Sequence, residues 1–167
     1  MLVSQQQEHH FVPEKYISKL SENFYLGASL CLNEEAVSHQ QVLSDYGVNA
    51  QISMRQTQEV IPSYIKYYLW LPTVDDTAPS LLKMHLAADF IYANILSGNK
   101  VYVHCKLGHG RAPTIAAAYF IIKQGFTVDE ALKFITEKRP EVHPLPSQIE
   151  MLHTLYNELY SSSQKNS

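Results

Sequence analysis

Cysteine is scarce in this chain: Cys31 and Cys105 are the only two in 167 residues, too few for the disulfide framework that holds small secreted domains together. Positive charge is scarce as well. Thirteen Lys and Arg stand against sixteen Asp and Glu, the net charge is -3, and no basic run exists to neutralise a nucleic-acid backbone. No apolar stretch approaches the ~20 residues needed to span a bilayer, and the polar, glutamine-rich residues 1–10 lack the apolar centre of a secretory signal. The final Gln164-Lys165-Asn166-Ser167 lacks the cysteine of a prenylation box. These absences predict a cytoplasmic protein in a reducing compartment, with no nucleic-acid partner, transmembrane segment or lipid anchor. With 46% hydrophobic and 17% charged residues the chain can bury one sizeable core but hardly two. A single domain over residues 21–162 is expected, with an extension at 1–20 and a polar tail at 163–167.

Against this plain background one stretch concentrates chemistry: His104-Cys105-Lys106-Leu107-Gly108-His109-Gly110-Arg111. A thiol with pKa about 8.5 is a poor nucleophile at neutral pH unless something nearby favours the thiolate. The backbone N–H groups of Lys106 to Gly110, turned inward around Cys105, and the guanidinium of Arg111 at the start of a helix would do so. The same arrangement cradles the three equatorial oxygens of a phosphate, so activation of the nucleophile and binding of substrate share one structure. Gly108 and Gly110 let the backbone approach a ligand closely.

The local context suits this reading. Val101-Tyr102-Val103 is a short apolar run typical of a buried strand, and the run from Arg111 to Gln124 forms a helix closed by Gly125. Elsewhere, Phe24 to Leu26, Val48 to Ser53 and Lys66 to Leu71 read as strands, the last with a Tyr67-Tyr68-Leu69-Trp70 run that suggests a buried sheet position. Asn33 followed by Glu34 and Glu35 reads as a helix start, and Gly47 as its end. Pro79-Ser80 opens a helix with apolar Leu82, Leu86, Phe90 and Ile91, stopped by Gly98. Thr127 with Glu130, and Ser147 with Glu150, have capping-box spacing before amphipathic helices, the second presenting Ile149, Leu152, Leu155 and Leu159. This alternation predicts an α/β fold with a mainly parallel central sheet of about four or five strands and helices on both faces. Cys105 would then lie beyond the carboxyl end of a strand, where such sheets bind ligands.

His104, Cys105, Gly108 and Arg111 meet the pattern H-C-x-x-G-x-x-R, and with it the chain resembles the cysteine-dependent dual-specificity phosphatases of the protein tyrosine phosphatase superfamily. The likeness extends from Phe24-Tyr25-Leu26-Gly27, which resembles the family's first strand, to the terminal helix ending near Tyr160. The resemblance implies that Cys105 attacks phosphorus to form a phosphocysteine while Arg111 grips two phosphate oxygens. Lys106, Leu107, Gly108, His109 and Gly110 complete the phosphate cradle, and His104 supports the thiolate by hydrogen bonding to the loop backbone. A buried histidine that is merely satisfied would look the same in sequence. The leaving oxygen needs a proton from a carboxylic acid on another loop. Asp75, in Leu71-Pro72-Thr73-Val74-Asp75-Asp76, resembles the family's general-acid segment, with Asp76 as the competitor. A zinc site at His104, Cys105 and His109 is disfavoured, since adjacent positions seldom point at one ion and no CxxC partner exists. No metal and no cofactor is expected.

The residue after the arginine is Ala112, where most family members place Ser or Thr to donate a hydrogen bond to the cysteine sulfur. Gly110-Arg111-Ala112-Pro113 is similar to the regenerating-liver phosphatases in this respect. Losing a charge-assisted bond of about 1.5 to 3 kcal/mol should slow phosphocysteine hydrolysis by roughly ten- to a hundredfold. Lys106 and His109 put one fixed and one titratable charge where inositol-lipid phosphatases carry two basic residues, although a lysine pointing to solvent fits Lys106 equally well. Gln51-Ile52-Ser53-Met54, Thr73-Val74-Asp75 and Tyr102-Val103-His104-Cys105-Lys106 resemble the lipid-phosphate branch typified by mitochondrial phosphatidylglycerophosphate phosphatase, while Arg55-Gln56-Thr57-Gln58-Glu59 departs from that branch's acidic stretch. The implied substrate is a phosphorylated protein or a phospholipid head group, the latter reached by peripheral membrane contact. A phosphate-binding pseudophosphatase with slow turnover, and a scaffold whose Cys105 senses redox state, are the alternatives.

Overall fold

Five short strands, each too brief to stand alone, are joined into one sheet in the order β1-β2-β5-β3-β4. The computed structural model describes residues 13–30 and 36–161. Along the chain these are α1 (Pro13–Tyr16), β1 (Ile17–Ser21), β2 (Phe24–Gly27), α2 (Ala36–Asp45), β3 (Ala50–Ser53), β4 (Tyr67–Trp70), α3 (Leu81–Leu96), β5 (Val101–His104), α4 (Arg111–Gln124), α5 (Val128–Lys138) and α6 (Pro146–Ser161). Cys31 and the helix start at Asn33-Glu34-Glu35 lie outside the described residues. Only the β1–β2 pair is antiparallel; β2–β5, β5–β3 and β3–β4 run parallel. The strand at Phe24 is thus the second of the sheet. Before it, Ile17 and Leu20 are buried on β1, three residues apart and in different cores, with an irregularity in the pairing between Lys19 and Ser21.

Period-two alternation divides the central strands between two cores. Phe24, Leu26, Ile52, Val101 and Val103 face α3, α4, α5 and α6, while Tyr25 and Tyr102 face the opposite side with Leu43 of α2, Val48 and Ile65. Helix α4 is buried on every side from Arg111 to Ile121, and its run Ala116-Ala117-Ala118 lets α3, α5 and α6 close around it. That enclosure fixes the amino end of α4 against the carboxyl end of β5, where the chemistry of the octapeptide would have to occur.

Three local expectations change. Strand β4 is an edge strand with Tyr67 52% exposed, because the sheet ends there and no further strand covers its aromatic run. On α3 the stripe Leu82-Leu86 faces solvent, at 67% and 45% exposed, and Met84, Ala87, Ala88 and Ile91 form the buried face, the small alanines permitting close approach to α4. On α6 the cap is not Ser147: Gln148 Oε1 accepts from Leu145 N–H at 2.8 Å, and the helix begins at Pro146, two residues earlier than the Ser-Glu spacing suggests. The Thr127–Glu130 capping box, the Ser80 cap of α3 and the left-handed Gly125 that ends α4 are all present.

Candidate active site

Cys105 follows the last residue of the central strand β5 and is 3% exposed. From Cys105 to Gly110 every peptide carbonyl is held from outside the loop. His104 Nδ1 lies 3.3 Å from Cys105 O, Ser29 N–H donates to Lys106 O at 3.0 Å, and Arg139 donates to Leu107 O and Gly108 O, both at 3.0 Å. His143 N–H donates to His109 O at 3.0 Å, and Thr114 N–H and Oγ1 to Gly110 O at 3.0 and 2.7 Å. In a trans peptide the N–H points opposite to its carbonyl, so the amides of Lys106 through Arg111 converge on the space above Cys105. Gly108 N–H donates to Cys105 Sγ at 3.3 Å, the one member of this set that reaches the sulfur. Gly108 sits at φ +73°, and a Cβ there would lie 2.5 Å from the Gly27 backbone, so both conformation and space demand glycine.

Arg111 is 4% exposed, and its Nη1 is spent on Thr73 O at 2.8 Å and Met54 O at 3.3 Å. This leaves the Nε–Nη2 edge for a ligand. Nη2 meets Asp75 Oδ1 at 3.2 Å, while buried Nε has no hydrogen-bond partner. An orphaned donor in a buried guanidinium costs energy unless an anion completes it, and a phosphate accepting from Nε and Nη2 together would be held bidentately. The Asp75 carboxylate is 60% exposed at the pocket mouth, with its N–H 3.4 Å from Gln56 Oε1. Asp76 follows in a left-handed conformation at φ 58°, donating its own N–H to Asp75 Oδ1 at 3.1 Å. Both carboxylates line the pocket, but among the described contacts only Asp75 touches Arg111.

Behind the loop lies a buried polar network. His104, 1% exposed, stacks on Tyr102 with ring centroids 5.4 Å apart and turns Nε2 to Gln51 Nε2 at 2.8 Å and to Glu59 Oε2 at 3.4 Å. A carbonyl can only accept, so Nδ1 carries the hydrogen shared with Cys105 O, and Nε2 accepts from Gln51. Burial pushes the His104 imidazole below its ordinary value, against the pull of Glu59, and keeps it neutral at pH 7. Burial alone would raise the Glu59 carboxyl, but the facing histidine, Arg55 at 2.7 Å and Ser29 at 2.8 Å together hold it below the usual carboxylate range.

Three residues of the site do not announce themselves in sequence. Glu59 closes the network just described. Arg139, 1% exposed at the carboxyl end of α5, grips two loop carbonyls and also Ser18 Oγ at 3.2 Å. Gln148, 1% exposed, caps α6, donates to Thr77 O at 3.0 Å and abuts Gly110, so it ties the acid loop to the phosphate loop.

The pocket has a volume of about 140 Å³ and is floored by Cys105, Gly110 and Arg111. Lys106 and Leu107 form its exposed rim, with Leu107 54% exposed. His109 and His143 stand together there with ring centroids 5.2 Å apart. Burial and then the neighbouring Arg139 and His143 push the His109 imidazole below its ordinary value, so at neutral pH the standing positive charge of the rim is Lys106. Among the described residues no group of three or more His, Cys, Asp and Glu is arranged to hold a metal ion.

The sequence model of the dual specificity phosphatase catalytic domain matches residues 25–158. Over 113 residues the chain is 37% identical to phosphatidylglycerophosphate phosphatase PTPMT2 of Arabidopsis thaliana, covering 64% of this chain and 50% of that protein. Over 99 residues it is 36% identical to phosphatidylglycerophosphatase and protein-tyrosine phosphatase 1 of Mus musculus, covering 59% and 51%. The chain thus spans about half the length of these curated relatives. The crystal structure of PTPMT1 in complex with PI(5)P superposes with a TM-score of 0.76 at 26% identity, covering 89% of this chain and 99% of the other.

Proposed function

Because the chain belongs to the dual specificity phosphatase family, we propose that it hydrolyses phosphate monoesters through a phosphocysteine intermediate and that its substrates are phospholipid head groups. The observation that carries the chemistry is the unpartnered Nε of buried Arg111 on the same pocket as Cys105, whose sulfur accepts from the Gly108 N–H and whose loop carbonyls are all held from elsewhere. A tetrahedral dianion completes that Nε and the inward amides at once.

In the first step the Cys105 thiolate attacks phosphorus, the bond to the leaving oxygen breaks, and Asp75 gives that oxygen its proton. Arg111 and the loop amides hold the equatorial oxygens as their charge redistributes. In the second step Asp75 takes a proton from water, the hydroxide attacks the phosphocysteine, and inorganic phosphate leaves with the thiolate restored. His104 fixes the Cys105 carbonyl and with it the direction of the next amide. The chemistry needs a reduced thiol, which fits a reducing compartment such as the cytosol.

Pocket size and rim support the lipid substrate. About 140 Å³ is well below the roughly 300–1,000 Å³ of sites that engulf a drug-sized ligand, so the phosphate enters and the rest of the substrate lies across Lys106, Leu107 and His109. A cation and an exposed leucine side by side suit an anionic head group on an apolar body. The related proteins named for phosphatidylglycerophosphate, and the PTPMT1 complex with PI(5)P, support the same class. Steady-state release of phosphate from an aryl phosphate, phosphotyrosine and phosphothreonine peptides, inositol lipids and phosphatidylglycerophosphate tests it, with Cys105→Ser as the inactive control. A lipid is expected to be the best substrate. Phosphopeptides preferred over every lipid would overturn the lipid assignment, and phosphopeptide binding without any turnover would establish the pseudophosphatase alternative.

A further inference from the structure

A second cavity of about 290 Å³ lies on the far side of the phosphate loop, and it shares Lys106, Leu107 and His109 with the catalytic pocket. Its other walls are Lys15 and Tyr16 of α1, Ala28 and Ser29 beyond β2, and Arg139 with Glu141. The walls are tied together by backbone hydrogen bonds and by two buried side chains, Tyr102 and Arg139. Ala28 N–H donates to Tyr16 O at 2.9 Å, Ser29 N–H to Lys106 O at 3.0 Å, and Tyr102 Oη to Ala28 O. Arg139 holds both sides: its Nη1 reaches Ser18 Oγ at 3.2 Å and Lys15 O at 3.5 Å, and its Nε and Nη2 hold Gly108 O and Leu107 O. The cavity is therefore preformed, and one buried side chain fixes its geometry relative to the nucleophile.

We propose that this cavity is a second substrate subsite, which takes the phosphodiester and the adjoining glycerol and first acyl carbons of a phospholipid whose head-group phosphate occupies the catalytic pocket. The proposal rests on the phospholipid reading above. A phospholipid bearing a phosphate monoester on its head group has a fixed order of parts: dianionic monoester, polar head group, monoanionic phosphodiester, apolar glycerol ester. The protein presents the complementary order from the nucleophile outward. Arg111 and the loop amides take the monoester, and His109 borders the head group. The ammonium groups of Lys15 and Lys106 face the phosphodiester, and Tyr16, Ala28 and Leu107 supply the apolar wall. Leu107 lines both cavities and is 54% exposed, and Val74, next in sequence to Asp75, is 56% exposed. Uncovered aliphatic side chains at and beside pocket-lining residues suit a lipid surface better than an aqueous one. Glu141 is the one carboxylate on the cavity wall, so its charge opposes the lysines.

The test compares kcat/KM for a short-chain phosphoinositide, for the matching free inositol phosphate that lacks the phosphodiester and acyl carbons, and for an aryl phosphate. Lys15→Glu and Glu141→Lys are both changes at exposed positions. Lys15→Glu is expected to lower the ratio of lipid to aryl phosphate at least tenfold and Glu141→Lys to raise it, with a smaller change for the free inositol phosphate. If wild-type protein cleaves the lipid and neither ratio moves by more than twofold, the subsite is wrong while the substrate class stands. An equal loss on the free inositol phosphate also overturns the subsite, since the lysine then serves the head group alone. Wild-type protein that cleaves aryl phosphate and no phospholipid overturns the substrate class and the subsite with it.

Discussion

Asp75 Oδ1 lies 3.2 Å from Arg111 Nη2, on the only edge of the guanidinium that backbone carbonyls leave open. In the proposed reaction a phosphate oxygen would take the place of Asp75 Oδ1 on this nitrogen, so substrate and carboxylate would compete for it and binding would release the acid toward the leaving group.

That competition separates Asp75→Asn from an ordinary acid knockout. Turnover of alkyl phosphates, whose leaving oxygen needs a proton, should fall about 10²- to 10³-fold, and aryl phosphates with good leaving groups should be far less affected. Inhibition by inorganic phosphate or vanadate should meanwhile tighten by about two- to fivefold, since an exposed ion pair of at most ~1 kcal/mol no longer opposes it. Asp76→Asn should do neither. Inhibition constants and a leaving-group series on the two variants check the assignment, and an alkyl-phosphate defect in Asp76→Asn instead would move the role to Asp76.

Ala112 is fully buried in the first turn of α4, and among the described contacts only the Gly108 N–H reaches the Cys105 sulfur. A thiolate leaving phosphorus in the second step lacks the hydroxyl donor that a serine would supply. Ala112→Ser should raise steady-state turnover by roughly ten- to a hundredfold, and a pre-steady-state burst in the wild type should shrink in the variant. Equal turnover with no burst in either protein would mean that hydrolysis of the intermediate is not the slow step.

Burial of neutral His104 links stability to pH. Its folded value lies below the ordinary 6.5, so the unfolded chain binds the extra proton first as pH falls. The stabilising contribution is complete above about pH 6.5 and is lost progressively below it, at no more than about 1.4 kcal/mol per pH unit from this group. Glu59, held below 4.5, adds a further loss only under more acidic conditions. Thermal midpoints measured from pH 7.5 to 5 should decline below 6.5 in the wild type and more shallowly in His104→Asn. Parallel curves for the two proteins would place the acid sensitivity elsewhere.

The phosphate loop was legible because its parts are neighbours in the chain: strand, nucleophile, glycines and arginine occupy one continuous stretch, and local backbone chemistry alone brings them together. Asp75 stands out in the sequence by its place just past a strand end and by its resemblance to the family's general-acid segment, and in the structure it, rather than Asp76, touches Arg111 among the described contacts. Arg139 carries no such signal. It reads as a basic residue at the end of an amphipathic helix, and its function arises from tertiary placement, where α5 delivers it under the loop. The same holds for Glu59, whose carboxylate is buried by partners on separate segments, Ser29 and His104. Of the apolar residues that mark α3 in the sequence, Ile91 is buried and Leu82 and Leu86 face solvent, because the small Ala87 and Ala88 allow closer helix packing than leucines would.

Removing Arg139 tests whether the inward amides depend on a residue outside the catalytic pocket. Its Nε and Nη2 each donate at 3.0 Å to a loop carbonyl, and leaving those two acceptors buried without partners costs about 1–3 kcal/mol apiece. The Leu107 and Gly108 peptides can recover by turning their carbonyls toward the pocket, which replaces two anion-binding N–H groups with oxygens. In Arg139→Ala the affinity for phosphate and vanadate should therefore fall at least tenfold, with KM rising more than kcat falls. Alkylation of Cys105 by a neutral reagent should change much less. Guanidinium ion added at concentrations below those that denature should restore phosphate affinity to Arg139→Ala and not to Arg111→Ala, because only the former leaves the substrate's own arginine in place. Loss of thermal stability without loss of phosphate affinity would reduce Arg139 to a packing role, and an equal response of both variants to guanidinium would deny it a specific hold on the loop.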